Sequence, residues 1–213
     1  MERTVTICGT GCFSGAPDSV RVSFRMVSRN RDYAEAMKLS AIRQKNLAEA
    51  LAKVGFDEKD LKTSDFSVRT ENKEQERYGC KKYVFDCYAI AQSLSLSFDM
   101  DHKRLGAVLG VISESCSDPS LSVSFFVKDQ NAVTRAILSS ASKDARQAAE
   151  VLCESQGVGL GELVSISYDW SELDVYSGTR YSPNVEVCGE GMPEINPQDV
   201  KVSDTVRFVW RIV

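Results

Sequence analysis

Two near copies of one short stretch are the first residues that could do chemistry. Cys8-Gly9-Thr10-Gly11 lies near one end of the chain and Cys188-Gly189-Glu190-Gly191 near the other. Glycines so spaced can bring backbone amides against a phosphate, provided that a helix N-terminus follows them. Here Gly9, Gly11 and Gly15 have the wrong last spacing for a dinucleotide loop, and a turn and a strand pattern follow. No Gly-Lys-Ser/Thr follows either, so a P-loop fails as well. A structural use remains: Gly9, Gly11, Gly189 and Gly191 permit a bulge or a close approach of backbones at strand ends. The two copies then predict that the N-terminal and late strands are neighbours in one sheet, with the glycines meeting.

The other reactive side chains form no constellation. His102 is the only histidine. It has no serine or cysteine nucleophile in motif context, so no triad is signalled. Asp99, Asp101 and His102 could hold an ion, but carboxylates before a helical pattern have a plainer use as caps. The charged runs at 57–60 and 71–76 lack the glycine and spacing of a calcium loop. The seven cysteines lack CxxC spacing, which removes the zinc and redox-pair readings. Free, buried thiols in a reducing compartment are expected, with Cys80 or Cys116 the candidates for exposure. Cys8 and Cys12 share a strand face, too far apart to bridge. Trp170, Tyr176 and Tyr181 differ from these, because aromatic residues in a loop suit an interface core. No catalytic residue, cofactor or metal ligand is predicted.

Composition narrows the function further. A chain of 213 residues with 43% apolar residues can fold as one domain, 1–213, with no metal or disulfide. A net charge of -4 argues against broad nucleic-acid binding, which needs clustered Lys and Arg. No stretch approaches a membrane span. No signal peptide is visible, so the expected location is cytoplasmic; a leader removed upstream would make it periplasmic or exported.

Periodicity supplies the elements. Residues 3–9 and 19–26 alternate as two strands, and the turn residues between them predict a hairpin. A one-sided helix over 31–54 follows, capped by Asn30 and closed by Gly55. Strands are predicted at 63–69 and from Val84 to Phe98, with the polar run TENKEQERYGCKK between them as an exposed loop. Asp86 and Gln92 break the second pattern and predict a bulge or edge exposure. A helix over 102–115, a strand over 121–127 and an alanine-rich helix over 130–156 opened by Asp129 come next. Small residues there permit close packing. Strands at 163–170, from Val185, and over 200–213 complete the order ββαββαβαβββ, with SELDVYSGTRYSPN as a loop. The fold class is α+β, a mixed or antiparallel sheet with three helices, two of them long and packed on the sheet.

Five stretches, in order, resemble the SIMPL domain family. They are CGTGCFSGAPDSVRVSF, LAEALAKVGFDEKDLKTSDFSV, YAIAQSLSLSFDMDHKRLGAVL, SSASKDARQAAEVLCESQGVGLGELVSI and INPQDVKVSDTVRFVWRI. Together they span nearly the whole chain. The resemblance implies an α+β domain of bacterial periplasmic and cytosolic proteins, found also in an animal protein that binds an interleukin-receptor-associated kinase. Some bacterial relatives are linked to oxidative-stress tolerance and assemble into large rings. The family has no established catalytic residues, so none is carried over.

The expected function is therefore non-enzymatic: a stress-related homo-oligomer or protein-interaction partner, associating through sheet edges and the 171–184 loop. The alternative is a small-molecule or ion-binding protein with a pocket between helices and sheet. A hydrolase using dispersed acids is a third reading.

Overall fold

A computed structural model describes residues 3–77, 80–113, 119–169, 173–182 and 195–213. The elements run β1 (Thr4–Gly15), β2 (Ser19–Asn30), α1 (Tyr33–Ala52), β3 (Lys62–Arg77), β4 (Cys80–Asp99), α2 (His102–Ser113), β5 (Ser120–Phe126), α3 (Gln130–Ser155), β6 (Leu160–Ser167), β7 (Tyr176–Tyr181) and β8 (Val200–Ile212). The α+β class and the order of elements are those read from the sequence. The strands form two sheets, ordered β1-β8-β6 and β3-β4-β2-β5-β7. The chain divides into two compact units.

The first unit is built mainly from β1, α3, β6 and β8. β8 pairs antiparallel with β1 along its whole length and with β6 on its other side. Val206, Phe208 and Trp210 alternate inward from β8 and bury against Ala141, Ala145 and Ala149 of α3. The Phe208 and Trp210 rings stack at 5.4 Å between centroids. The alanine stripe repeats every four residues, so one narrow face of α3 lies against the sheet. Asp129 opens the helix as expected, its carboxylate accepting the Ala132 amide at 2.8 Å.

The second unit is built mainly from β2, α1, β3, β4 and α2. Val20, Val22, Phe24 and Met26 of β2, with Ile90, Leu94 and Leu96 of β4, are buried on one face. Leu47 and Leu51 of α1 and Leu105, Leu109 and Ile112 of α2 are buried as well. Each such side chain contributes about 1.5–3 kcal/mol relative to exposure. Gly55, at φ +83°, closes the turn after α1 in the left-handed region that favours glycine.

Several expectations change. β1 and β2 are not a hairpin: β1 pairs with β8, and β2 with β4. The turn residues between them anchor the chain elsewhere. The Asp18 amide donates to the Phe126 carbonyl at 3.2 Å, and its carboxylate accepts the Lys128 amide at 2.9 Å. The cap of α1 is Asp32, whose carboxylate accepts the Glu35 amide at 2.9 Å. Asn30 instead accepts the Asp32 amide, forming the bend before the helix. The polar run expected as a loop extends β3 and β4 into a two-stranded ribbon. Its strands are tied by Lys73–Asp86 at 3.0 Å and Lys81–Glu74 at 2.6 Å. A ladder needs backbone pairing, and charged side chains satisfy its exposed faces. Likewise β7 forms inside the stretch expected as a loop, while the strand expected from Val185 lies outside the described residues.

The bulge expected near Asp86 is present: Glu71 pairs with Cys87 and Asn72 with Phe85, leaving Asp86 as the extra residue. Gln92 is different. It is buried in regular pairing, donating to Gln44 Oε1 at 2.8 Å and accepting from Ser40 Oγ at 3.3 Å.

Candidate functional site

The glycines of Cys8-Gly9-Thr10-Gly11 do not face a ligand space. They lie on the face of β1 turned to α3. A Cβ on Gly9 would collide with the Ala141 carbonyl oxygen and reach within 2.6 Å of the Ala145 Cβ. A Cβ on Gly11 would meet the Ile137 backbone. Here glycine is needed for the approach of strand to helix, not for positive φ. Between them the Thr10 amide, on the outer edge of β1, donates to Asp144 Oδ2 at 2.9 Å. Asp144 thus occupies an edge donor that could otherwise bind another strand. Asp144 was not read from the sequence. The signal available was the alanine stripe at 141, 145 and 149, which places residue 144 beside the strand. Gly189 and Gly191 lie outside the described residues, as does the expected meeting of the two copies.

At the other edge of this sheet, β6 pairs only with β8 among the described residues. Its eight residues carry one charge, Glu162. Leu163, Val164 and Ile166 are exposed at 47%, 47% and 57%. Beside them runs an open groove of about 660 Å³ between α3 and β6, reaching Phe208 and Trp210 and lined on the helix by Ser142, Arg146 and Glu150. By contrast, β3, an edge of the other sheet, carries eight charged residues in sixteen. Charges on an edge strand oppose pairing with another chain, so β6 is the edge better suited to it.

The remaining predicted residues do not converge. Trp170 lies outside the described residues. Tyr176 and Tyr181 stand at the two ends of β7, both partly buried, and Tyr176 packs against Phe126 at 5.5 Å. His102 begins α2, where Asp101 serves as cap, accepting the Lys103 and Arg104 amides at 2.8 and 3.1 Å. No group of three or more His, Cys, Asp or Glu side chains among the described residues is placed to hold a metal ion. Cys87 and Cys153 are buried free thiols, but Cys8 and Cys12 are exposed. The expectation of burial fails there because even-numbered positions of β1 face away from α3. Cys80 and Cys116 carry no described side chain.

Two electrostatic features stand out. Arg29 grips Glu71 with Nε to Oε2 at 2.8 Å and Nη2 to Oε1 at 3.2 Å. That bond holds the Glu71 carboxyl below its usual range and raises Arg29. Burial, with the Glu71 and Asp86 charges adding, pushes the neighbouring Cys87 thiol up, so it is no activated nucleophile. Tyr168 donates to Asp204 Oδ2 at 3.0 Å, and its pKa is raised first by burial and then by that bond.

A model of the SIMPL family, described as a protein of unknown function (DUF541), matches residues 5–210. The chain belongs to that family. No curated protein matches it. The SIMPL match extends from β1 through β8, so it includes the strand–helix contact at Gly9 and Gly11 and the β6 edge. The family description assigns no reaction.

Proposed function

We propose that this SIMPL chain is a non-enzymatic protein that acts by associating with further copies of itself, and that β6 is the joining edge. One observation carries the reading: among the described residues the apolar, nearly uncharged strand β6 has a neighbour on one side only, while at the opposite edge of the same sheet Asp144 takes the Thr10 amide of β1. Pairing β6 with β6 of a second copy would satisfy the amides and carbonyls on its outer side, which have no partner strand among the described residues, and cover Leu163, Val164 and Ile166. The ring assemblies of bacterial relatives and a stress-related role accord with this reading. Light scattering and sedimentation across a range of concentrations test it. Assembly that Ile166→Lys reduces to monomers is the expected result. A wild-type chain that stays monomeric at every concentration overturns it.

The groove beside β6 supports a second reading, a small apolar ligand held between helix and sheet. A thermal-shift screen distinguishes the two, because a ligand specific to the folded state raises its stability by mass action.

A further inference from the structure

The face of β3 and β4 turned toward α1 is covered by that helix only in part. β4 runs beneath α1: Gln92 bonds to Ser40 and Gln44, and Ile90, Leu94 and Leu96 on the same face are buried. β3, the next strand out, pairs Phe66 with Gln92 and Val68 with Ile90. Directly opposite side chains share a face, so Phe66 and Val68 belong to this one, yet they stay exposed. The bulge at Asp86 carries the face outward along the ribbon. Its extra residue shifts the alternation of β4, so that Phe85 joins Tyr88, their rings 5.1 Å apart, and Tyr88 meets Tyr33 of α1 at 5.7 Å. Tyr83 follows Phe85 by two residues and shares its face. All of these residues lie within the second unit. Five of the twelve exposed large apolar side chains among the described residues are thus gathered here, Tyr33, Phe66, Val68 and Phe85 between 40% and 48% exposed and Tyr83 at 71%. They present about 500 Å² to solvent. Two such faces brought together would bury about 1,000 Å², the size that a specific interface needs.

The same face also carries a counterpart to these rings. Along α1, on the side where Gln44 reaches toward β4, runs an open groove of about 520 Å³ lined by Ala41, Ala48 and Ala52 and flanked by Gln44, Lys45, Glu49 and Glu58. Lys45 and Glu49 are well exposed and 3.7 Å apart. At the ribbon end, register puts Glu74, Glu76 and Lys81 on the face of Phe85 and Tyr83, with Lys81 and Glu74 paired at 2.6 Å. From Phe66, beside the groove, to Glu74, beside Tyr83, the strand runs about 26 Å. The rings and the alanine-lined groove therefore stand at opposite ends of one face, each with a base and acids next to it.

We propose that this face is a second joint between copies of the chain, in which Tyr83 and Phe85 of each copy enter the groove beside α1 of the other about a twofold axis. A twofold interface is self-complementary: where residue i meets residue j, j meets i. Rings at one end and a groove at the other meet that condition. The charges meet it too, because Lys45 of one copy comes to Glu74 of the other, and Glu49 to Lys81. The shape agrees as well. α1 stands about 10 Å above the sheet, whereas the ribbon face beyond Tyr33 is exposed, so the step on one copy fits the step on the other. With self-association through β6 as the first joint, on which this second one rests, the chain builds assemblies larger than a dimer.

Sedimentation velocity and light scattering on the full chain test it. The wild type should exceed the dimer. Tyr83→Lys and Phe66→Lys should each stop at the dimer joined by β6, and circular dichroism confirms that both are folded. Lys45→Glu should weaken the larger assembly at least about tenfold, and adding Glu74→Lys to it should restore that assembly. This face alone, at the lower size limit of specific interfaces, does not hold Ile166→Lys chains together at the concentrations where the wild type assembles. The proposal fails if the wild type stops at a dimer that Tyr83→Lys leaves intact, if Tyr83→Lys and Phe66→Lys leave a larger assembly unchanged, or if the double charge reversal does not restore what Lys45→Glu loses. A dimer that Tyr83→Lys breaks and Ile166→Lys does not would overturn the β6 reading and leave this face as the joint. A wild type that is monomeric throughout overturns both.

Discussion

The amide of Thr10 donates to the carboxylate of Asp144 at 2.9 Å, at the point where Gly9 and Gly11 let β1 settle onto α3. The strand's edge and its helix are thus joined by a polar contact flanked by two backbone-to-backbone ones. Asp144→Ala should lower stability by about 0.5–1.5 kcal/mol, as expected for a hydrogen bond near solvent. Urea denaturation measures it, and an unchanged midpoint would deny the contact any weight.

Gly9→Ala and Gly11→Ala should each cost about 1–3 kcal/mol or more, because helix backbone, not a movable side chain, fills the space of the new methyl. Gly106 and Gly110 in α2 have open space where a Cβ would go. Alanine at either should instead stabilise by about 0.5–1 kcal/mol. Thermal melts of the four variants should separate into two opposite groups.

Gln92 is a buried amide with both ends bonded, to Gln44 and Ser40. Gln92→Ala leaves those groups short of partners and opens a void, a loss of about 1–3 kcal/mol. Restoration of full stability in a Ser40→Ala, Gln92→Leu double variant would show that the polar pair serves no stabilising end.

The Arg29–Glu71 pair gives stability a pH dependence of known sign. The Glu71 carboxyl titrates lower in the folded protein than in the unfolded chain, chiefly because Arg29 bonds to it. Its contribution is therefore complete above the unfolded value of about 4.3 and is lost as pH falls through the lower folded value. The stability difference between wild type and Glu71→Gln should persist at neutral pH and vanish in acid. A difference that stays constant down to acid pH would contradict the pairing.

Cys8 and Cys12 are exposed, whereas Cys87 and Cys153 are buried. With Cys80, Cys116 and Cys188 replaced by serine, a thiol reagent should react with two groups at once and two only on unfolding. Four fast thiols would place Cys87 and Cys153 outside the core.

Much of this architecture was legible in the sequence because periodicity is a local property. Alternation at Val20–Met26 and Val202–Ile212 marked strands and their inward faces. Asp101, Asp129 and Gly55 marked helix ends through bonds or dihedrals within a few residues of themselves. The alanines of α3 announced a close contact without saying with what.

The sequence by itself determined the class, the element order, the inward faces and the family. Only the tertiary structure decided which strands pair. Backbone hydrogen bonds carry no side-chain label, so the turn between β1 and β2 implied a hairpin that β8 and β4 in fact displaced. Arg29 and Glu71 are likewise far apart in the chain, and pairing of β2 and β3 with β4 alone brings them into contact. The Cys8-Gly9-Thr10-Gly11 stretch shows the converse: its phosphate reading could be set aside from local sequence, but its role required α3 in place.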